Sequence, residues 1–339
     1  MNKRNKLSYS AFLKTVKDTV KHNNMFQKGD RVLAAVSGGA DSVCLLKTLL
    51  EIRKKMHMEI VVANMDHCLR GIESANDSCF VKELAMNLGV DFIHKKIDVK
   101  KGRNKKNSIE ECAREERYRF FKNAAQAKNC NVIATGHTMD DQAETVLMRI
   151  IYGASLSGIA GIPAVRDENG FRVVRPLINS ERTDIIAFLQ ETGLNYVEDK
   201  SNFDTKFARN SIRHEVIPFL KNYNPRIKRT LSNLAESLRE DYVFLSSERE
   251  KRLKKYDNIN SVKIEDVILQ PKAIRKEIFK KLFKKTGGIL KKLTHRHWKD
   301  MDNFLTRTER NKSLDLPGGV KIYKQKNEIV FRKTNLDTE

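Results

Sequence analysis

The sequence predicts an α/β fold, in which a doubly wound parallel sheet is followed by a helical segment and a small basic α+β domain. The first observation is that short apolar runs alternate with longer segments of helical periodicity, which is typical of a parallel sheet covered by helices. The second is that strand-like alternation around Gly318-Gly319 and Lys326-Asn327 follows much later, which predicts an antiparallel hairpin. We therefore expect three parts, at residues 1–215 (the parallel-sheet domain), 216–250 (a helical connection) and 251–339 (the basic domain).

The elements of the predicted sheet follow one another regularly along the chain. Apolar runs predict strands at residues 31–36, 59–65, 91–97, 131–135 and 172–174. Helical spacing of apolar residues predicts helices at residues 9–23, 42–54, 74–88, 108–128, 139–152 and 181–190, and then near 207–220 and 225–246. We expect a linker at residues 251–262, before helices near 271–285 and 295–306.

The net charge is strongly positive. Lys and Arg number 65 against 43 Asp and Glu, a formal charge of +22, and residues 251–339 hold 24 of these cations against 11 anions. Such an excess indicates a polyanionic partner, usually nucleic acid, with a soluble lysine-rich surface as the alternative. We interpret one cluster as contacts to a phosphate backbone: Lys280, Lys281, Lys284, Lys285, Lys291, Lys292, Arg296 and Lys299. Trp298 lies among them, and we expect it to pack in a core.

The cysteines and the hydropathy of the sequence indicate the cellular compartment of the protein. The five cysteines are scattered without a CxxC pair, which argues against a disulfide framework and against paired zinc ligands. No apolar run approaches the length of a membrane span, and the basic N-terminus lacks the apolar core of a signal peptide. We therefore expect a cytoplasmic protein, and the sequence leaves open whether it forms a homodimer.

The stretch VLAAVSGGADSVCLL, residues 32–46, places two glycines, two hydroxyls and a carboxylate between the first strand and the next helix. Backbone N–H groups at a helix N-terminus form an anion site, and glycines let a phosphate approach the backbone closely. The candidate nucleotide-binding residues are Ser37, Gly38, Gly39, Ala40, Asp41 and Ser42. Because Asp41 would repel a bare phosphate, we expect it to hold a Mg²⁺ ion that bridges phosphates. An ordinary strand–helix turn is the alternative.

The pattern Ser-Gly-Gly-x-Asp-Ser resembles the pyrophosphate-loop (PP-loop) ATPases, and neither a Walker A nor a G-x-G-x-x-G pattern is present. Four further stretches narrow the resemblance: NMDHCLRGIES (64–74), IEECAREERYRFF (109–121), ATGHTMDDQAETVLMRIIYGASLSGIAGI (134–162) and VEDKSNFDTKFARNSIRHEVIPFL (197–220). Together they resemble the tRNA(Ile)-lysidine synthetase family strongly over about residues 31–220 and weakly beyond. The resemblance is to a form without the additional C-terminal domain of longer members.

This resemblance implies an adenine nucleotide alpha hydrolase-like sheet and a ligase that cleaves ATP to AMP and pyrophosphate. The family joins free L-lysine to C2 of the wobble cytidine in isoleucine tRNA with a CAU anticodon. An adenylated cytidine is the intermediate, and the lysidine product converts AUG decoding to AUA decoding. ATP and Mg²⁺ are thus the implied cofactors, and isoleucine tRNA and free L-lysine the implied partners. The amine must attack as a neutral nucleophile, although free lysine is mostly ammonium at neutral pH.

Carboxylates and arginines are the candidate substrate-binding residues. Asp140 and Glu144 share a face at the start of a predicted helix, with Asp141 beside them. Such carboxylates can bind an ammonium, hold Mg²⁺ or accept a proton, or they can simply complement the helix dipole. The resemblance implies that Asp140 and Glu144 meet the substrate lysine. Arg209 and Arg213, four residues apart, share a face that can clamp phosphates or form a solvated basic stripe.

Further candidates follow the ends of predicted strands. Asp66 and His67 end the second strand, where the base and ribose of a nucleotide would lie. Gly136 ends the fourth strand beside the phosphate loop, where it lets a nucleotide or substrate approach. We expect His137 either to contact a phosphate or AMP, or simply to begin the helix.

Arg114 lies on a predicted helix, one turn after Glu110. An ion pair within that helix is the simple interpretation. The resemblance implies instead that Arg114 binds the substrate lysine or the activated base. The catalytic candidates are therefore Asp41, Arg114, Asp140 and Glu144.

Other functions remain as alternatives. A sulfur-transferring PP-loop enzyme commonly needs paired cysteines or an iron–sulfur cluster, which the scattered cysteines disfavour. An ammonia-using synthetase needs a glutaminase domain, for which this chain has no room. A non-catalytic RNA-binding protein that kept a nucleotide pocket is disfavoured because the candidate motif residues are all present.

Overall fold

The computed structural model describes residues 8–66, 72–97, 109–168, 170–198, 208–257, 259–306 and 313–334. The chain divides into two compact units, Met1–Glu240 and Asp241–Glu339. Each unit has a hydrophobic core of its own. The predicted fold class is confirmed: the first unit is built on a mainly parallel sheet with helices, and the second carries a small antiparallel sheet.

The sheet of the first unit has six strands. They are β1 (Arg31–Ala35), β2 (Glu59–Asp66), β3 (Asp91–Lys96), β4 (Val132–Ala134), β5 (Val165–Glu168) and β6 (Phe171–Val174), in the spatial order β3-β2-β1-β4-β6-β5. All neighbours are parallel except the antiparallel pair β5 and β6. The chain moves to one side of β1 for β2 and to the other for β4, which places a ligand crevice at the carboxyl end of β1. The sequence analysis missed β5, whose residues VRDE are mostly polar.

Ten α-helices accompany this sheet in the described part of the chain. They are α1 (Tyr9–His22), α2 (Ala40–Met56), α3 (Ile72–Asn87), α4 (Ile109–Ala127), α5 (Met139–Ile151), α6 (Leu156–Ile159), α7 (Arg182–Thr192), α8 (Ala208–Ser211), α9 (Ile217–Lys221) and α10 (Ile227–Leu253). A π-helical turn, Ile212–Val216, joins α8 to α9. The helix expected at 207–220 is thus interrupted, and α10 extends into the expected linker.

Side chains on opposite faces of the sheet enter separate cores. In β1, Val32 and Ala34 pack with the apolar residues of α1, α2, α3 and α7, whereas Leu33 packs with α4. The same alternation holds in β2, where Val62 enters the first core and Val61 the second. Because successive side chains of a strand point to opposite faces, helices cover both sides of the sheet. The predicted doubly wound arrangement is therefore confirmed.

The second unit combines short helices with a four-stranded antiparallel sheet. Its elements are β7 (Ser261–Lys263), α11 (Ile264–Ile268), α12 (Lys272–Lys285), α13 (His295–Thr306), β8 (Ser313–Leu316), β9 (Val320–Gln325) and β10 (Glu328–Lys333). The sheet order is β7-β10-β9-β8. Trp298 packs against the core of this unit, and the Nζ atoms of Lys276 and Lys280 lie 5.2 and 5.8 Å from its ring centroid.

Two further expectations concern helices and cysteines. Among the described residues, none of the helices is long and apolar enough to cross a membrane. Four cysteines lie in the described part of the chain, and all four are free thiols: Cys44, Cys79, Cys112 and Cys130.

The aromatic contact between α1 and α7 allows a test of the first core. The side chain of Phe188 is 1% exposed, and its ring lies 5.1 Å from that of Tyr9 and 4.7 Å from that of Phe12. Because Phe188→Ala leaves a cavity between two helices, we expect the free energy of unfolding to fall by about 3–5 kcal/mol in urea titrations. Phe219→Ala is the matched control, since Phe219 is 58% exposed. Equal losses in the two variants would contradict this packing.

Candidate active site

The loop between β1 and α2 is closed by a serine hydroxyl. Ser42 Oγ accepts the N–H groups of Ser37 at 3.1 Å and of Gly38 at 3.2 Å, and it donates to the Gly39 carbonyl oxygen at 2.8 Å. Gly38 has φ of +96°, a conformation that other residues rarely adopt. The first turn of α2 therefore presents N–H groups that have no intrahelical acceptor at the carboxyl end of β1, as the sequence predicts for a phosphate loop.

Gly136 lies directly against the start of α2. A Cβ atom at Gly136 would lie 3.0 Å from the carbonyl oxygen of Asp41 and 3.3 Å from the backbone nitrogen of Ser42. Both neighbours are backbone atoms, which cannot swing aside as a flexible side chain can. The absence of a side chain at Gly136 therefore lets the end of β4 meet the phosphate loop.

Asp41 has one paired and one unpaired carboxylate oxygen. Its Oδ2 accepts a hydrogen bond from Arg182 Nη1 at 2.6 Å, whereas its Oδ1 is buried without a hydrogen-bond partner. Burial raises the pKa of Asp41 to about 6; the neighbouring Asp141 and Asp140 add to this effect, and Arg182 opposes it. An unpaired buried oxygen is costly and marks a place where a ligand can bind.

The donor at Asp41 fits a Mg²⁺ ion, because carboxylate oxygen is the ligand that this ion prefers. Within the described residues, no group of three or more His, Cys, Asp and Glu side chains is placed to hold a metal ion. A Mg²⁺ ion at Asp41 would therefore take most of its ligands from phosphate oxygens and water, as is usual for this cation.

The first turn of α5 adds two carboxylates to the site. Asp140 Oδ2 accepts the backbone N–H of Arg182 at 2.8 Å, and Asp140 Oδ1 accepts a hydrogen bond from Lys228 Nζ. Asp141 Oδ2 accepts the backbone N–H of Thr138, and Thr138 Oγ1 accepts the backbone N–H of Asp141, so the two residues form a capping box. The Thr138 hydroxyl also donates to Asp141 Oδ2, and Asp141 Oδ1 accepts from Arg209 Nη2 at 2.9 Å.

Burial would by itself raise the pKa of Asp141. Arg209 and His137 act in the opposite direction, as do the hydrogen bonds from Thr138, and together they hold the pKa of this carboxyl below its usual value. Asp141 is therefore ionised at neutral pH and anchors Arg209.

Glu144 lies one turn further along α5, and its side chain is only 1% exposed. Its Oε2 accepts from Arg209 Nε at 2.7 Å, and its Oε1 accepts from Arg213 Nε at 2.6 Å. Burial alone would lower the pKa of Arg213, but the hydrogen bond and the charge of Glu144 raise it, so this guanidinium stays charged. The structure thus brings Arg209 and Arg213 together on one carboxylate, in agreement with the shared face predicted from their spacing.

The remaining predicted residues surround this network. The ring Nδ1 of His137 is 2.9 Å from Thr135 Oγ1. Burial, together with the charges of Arg175, Arg209 and Arg114, lowers the pKa of His137 to about 4, so the ring is neutral at physiological pH although Asp141 favours its charged form. Arg114 is exposed, and its guanidinium lies 5.5 Å from the ring centroid of Tyr118.

Two predictions reach beyond the described part of the chain. Asp66 is buried at the end of β2, as expected, but its predicted neighbour His67 lies outside the described residues. The side chain of Glu110, the proposed partner of Arg114 within α4, also lies outside them.

The sequence analysis missed Arg182 and Lys228, which pair with Asp41 and Asp140. A signal was present in the helix pattern. Arg182 begins α7 and Lys228 is the second residue of α10, and the helix dipole disfavours cations in a first turn. Cations in these positions indicate that carboxylates elsewhere in the fold hold them.

The ionisation of Asp41 allows a test of this electrostatic network. Because its pKa of about 6 in the folded protein exceeds the ordinary value of 3.8, the folded state binds more protons than the unfolded state between these values. This group therefore reduces stability as pH rises through that window. We expect the unfolding free energy of Asp41→Asn, relative to that of the wild type, to increase from about pH 4 to neutral pH in urea titrations. Asp167→Asn, which alters an exposed carboxylate, is the control, and a difference independent of pH would contradict the raised pKa.

Comparison with known proteins places this chain in a family. The PP-loop domain family matches residues 9–220. The tRNA(Ile)-lysidine synthase of Clostridioides difficile is 32% identical, over 96% of this chain and 71% of that protein, and the one of Geobacter sulfurreducens is 33% identical over 96% and 70%. The enzyme of Clostridium perfringens strain 13 is 38% identical over 79% of this chain, which spans 58% of that relative's length.

A solved structure supports the fold. The U34-tRNA thiolase NcsA from Methanococcus maripaludis, determined with its 4Fe–4S cluster, superposes with a TM-score of 0.58 over 68% of this chain and 80% of its own. Its sequence identity is 17%, so this likeness concerns the fold alone. The extent and identity of the sequence matches confirm the resemblance drawn from the motifs: the chain belongs to the tRNA(Ile)-lysidine synthase family of PP-loop proteins, which are ATP-dependent tRNA-modifying ligases.

Proposed function

We propose that this protein joins free L-lysine to C2 of the wobble cytidine in isoleucine tRNA with a CAU anticodon, with ATP as the second substrate. The observation that supports this proposal most directly is that a phosphate loop and a network of four carboxylates and four cations meet at one edge of the sheet. The members of this network are Asp41, Asp140, Asp141 and Glu144 with Arg182, Lys228, Arg209 and Arg213. Family membership supports the substrate classes, and the contacts of individual side chains support the roles that follow.

The nucleotide end of the site is formed by the phosphate loop and the first turn of α2. ATP supplies an AMP group that bonds to the C2 oxygen of cytosine, with pyrophosphate released, and so makes that oxygen a leaving group. The N–H groups of α2 hold phosphate oxygens, and Asp41 contributes a carboxylate oxygen to the accompanying Mg²⁺. Neutral His137 acts there as a hydrogen-bond partner rather than as a cation, because its pKa is about 4. Asp66 borders the base and ribose from the end of β2.

The lysine end of the site is Asp140. Its carboxylate accepts an ammonium group, from Lys228, and this contact supports an ammonium as the ligand at this position. In the second step the side-chain ammonium of lysine first loses a proton to water and becomes a neutral amine. The amine nitrogen then bonds to C2, the bond between C2 and the AMP-bearing oxygen breaks so that AMP leaves, and a second proton passes from the nitrogen to water. Asp140 holds the amine in line for this attack.

Glu144 and Asp141 act as positioning residues in this proposal. Both oxygens of Glu144 accept hydrogen bonds from arginines, and its side chain is buried. The two carboxylates therefore fix the guanidinium groups of Arg209 and Arg213, which then bind phosphate oxygens of ATP or of the anticodon backbone. Arg114 is exposed and can reach the activated base from α4.

In this proposal the basic second unit binds the phosphate backbone of the tRNA body. Of the cluster predicted to contact phosphates, six side chains are exposed: Lys284, Lys285, Lys291, Lys292, Arg296 and Lys299. Exposed cations of this kind contribute affinity without reading sequence, and their contribution weakens as salt rises.

The first prediction of this proposal concerns Gly136. A methyl group at this position meets the backbone of α2, so Gly136→Ala displaces the helix N-terminus that receives phosphates. We expect ATP binding, measured by calorimetry, to weaken about tenfold or more. Gly89→Ala is the control: it introduces strain at φ of +62° but faces open space, so it costs stability without weakening ATP binding. Unchanged ATP affinity in Gly136→Ala would place the nucleotide elsewhere.

The second prediction concerns the reaction itself. With ATP and Mg²⁺, we expect labelled L-lysine to be transferred to unmodified isoleucine tRNA with a CAU anticodon, but not to methionine tRNA with the same anticodon. Asp140→Asn should raise the KM for lysine about tenfold or more, because a charged hydrogen bond is lost, and Asp167→Asn should not. Formation of AMP and pyrophosphate on tRNA without lysine transfer would mean that the nucleophile is a different one.

A further inference from the structure

The ion pair between Lys228 and Asp140 has a consequence for how lysine binds. We propose that Lys228 is a built-in occupant of the subsite for the substrate's ε-ammonium group, and that free lysine must displace it in order to bind. The inference rests on the proposed function, because it takes Asp140 as the carboxylate that receives the amine of lysine.

The contact is mostly shielded from solvent, and both oxygens of Asp140 take part in hydrogen bonds. The side chain of Lys228 is 13% exposed and that of Asp140 is 14% exposed, and the two form an ion pair through Nζ and Oδ1. The other oxygen of Asp140 accepts the backbone N–H of Arg182. Asp140 therefore has no unoccupied oxygen to offer an incoming ammonium while Lys228 is in place.

The chemical identity of Lys228 makes it a direct competitor. Its side chain is the same four-carbon ammonium as the reacting end of free lysine, so the pocket at Asp140 already accepts the head group of the substrate. The network already balances four carboxylates with four cations, so a second ammonium group beside Lys228 would add an uncompensated positive charge at a mostly shielded position, which is unfavourable. Binding of the substrate and the contact of Lys228 with Asp140 are therefore mutually exclusive.

Lys228 is also the most exchangeable cation of the network. Asp141 and Glu144 are held by arginines, whose planar guanidinium groups make several hydrogen bonds in a fixed geometry. Lysine is a point charge on a flexible stem and can leave one carboxylate without disrupting a second contact. The charges of the network therefore balance when no substrate is bound, and the Lys228–Asp140 ion pair is the contact that breaks most easily.

This arrangement lowers the apparent affinity for lysine. If Lys228 occupied Asp140 nine-tenths of the time, the apparent dissociation constant would be about tenfold higher than that of the open site. Any other molecule that binds at Asp140 must also displace Lys228, so it must pair with this carboxylate at least as well as an alkylammonium does.

Two variants with opposite expected effects test the proposal. Lys228→Met keeps the length of the side chain but removes the charge, so the KM for lysine in the transfer reaction should fall about tenfold. Lys228→Arg keeps the charge and places a guanidinium, which can make several hydrogen bonds in a fixed geometry, at Asp140; this occupant is harder to displace, so the KM should rise. Arg229→Met, which removes the exposed cation next to Lys228 on α10, is the matched control and should leave the KM unchanged. Thermal unfolding of each variant checks that it is folded.

The direction of the change decides the outcome. A KM that rises or stays constant in Lys228→Met overturns the proposal, because a residue that merely supports the fold would not lower KM when removed. Calorimetric titration of L-lysine into the wild type and Lys228→Met, with ATP and Mg²⁺ but no tRNA, gives a second measure: tighter binding by the variant supports displacement, and equal or weaker binding overturns it. Failure of the proposed function has a different signature, which is that the wild type transfers no lysine to tRNA at all.

Discussion

The burial of Glu144 is the constraint on which the candidate site depends. A carboxylate with an almost inaccessible side chain must be paired, because an isolated buried charge costs several kcal/mol. Glu144 is paired with Arg209 and Arg213, which lie in α8 and in the π-helical turn after it. This contact therefore fixes the segment after residue 207 on α5. It also gives the π turn a physical reason, since such turns are rare and occur mainly at functional sites.

The same network connects the two halves of the proposed chemistry. Arg182 donates its side chain to Asp41, beside the phosphate loop, and its backbone N–H to Asp140. Arg182 therefore contacts both the carboxylate beside the phosphate loop and the carboxylate proposed to receive lysine. Four negative and four positive side chains balance one another, and in the proposal above lysine enters by replacing Lys228 at Asp140. We infer that the site is organised for exchange of ionic partners rather than for the filling of a bare acidic pocket.

Much of the fold could be predicted because it depends on local sequence. The positions of β1 and β2, the start of α5 and the glycine turn before α2 follow from residue periodicity and conformational preference, whereas α2 is two residues longer at each end than predicted. Edge strand β5 was missed because it is short and polar and pairs only with β6. The helix predicted at 207–220 is interrupted by a π-helical turn, and the pairing of Arg213 in this turn with Glu144, 69 residues away, is a contact that no local pattern contains.

The sequence by itself determined the fold class, the phosphate loop, the family resemblance and the carboxylates that gather at one edge of the sheet. These are properties of short motifs and of the rule that parallel strands share a carboxyl edge. Only the tertiary structure decided which cation meets which carboxylate: Lys228 at Asp140, Arg182 at Asp41, and two arginines at Glu144. The physical reason is that an ion pair depends on distance in space and on burial, and neither can be obtained from spacing along the chain.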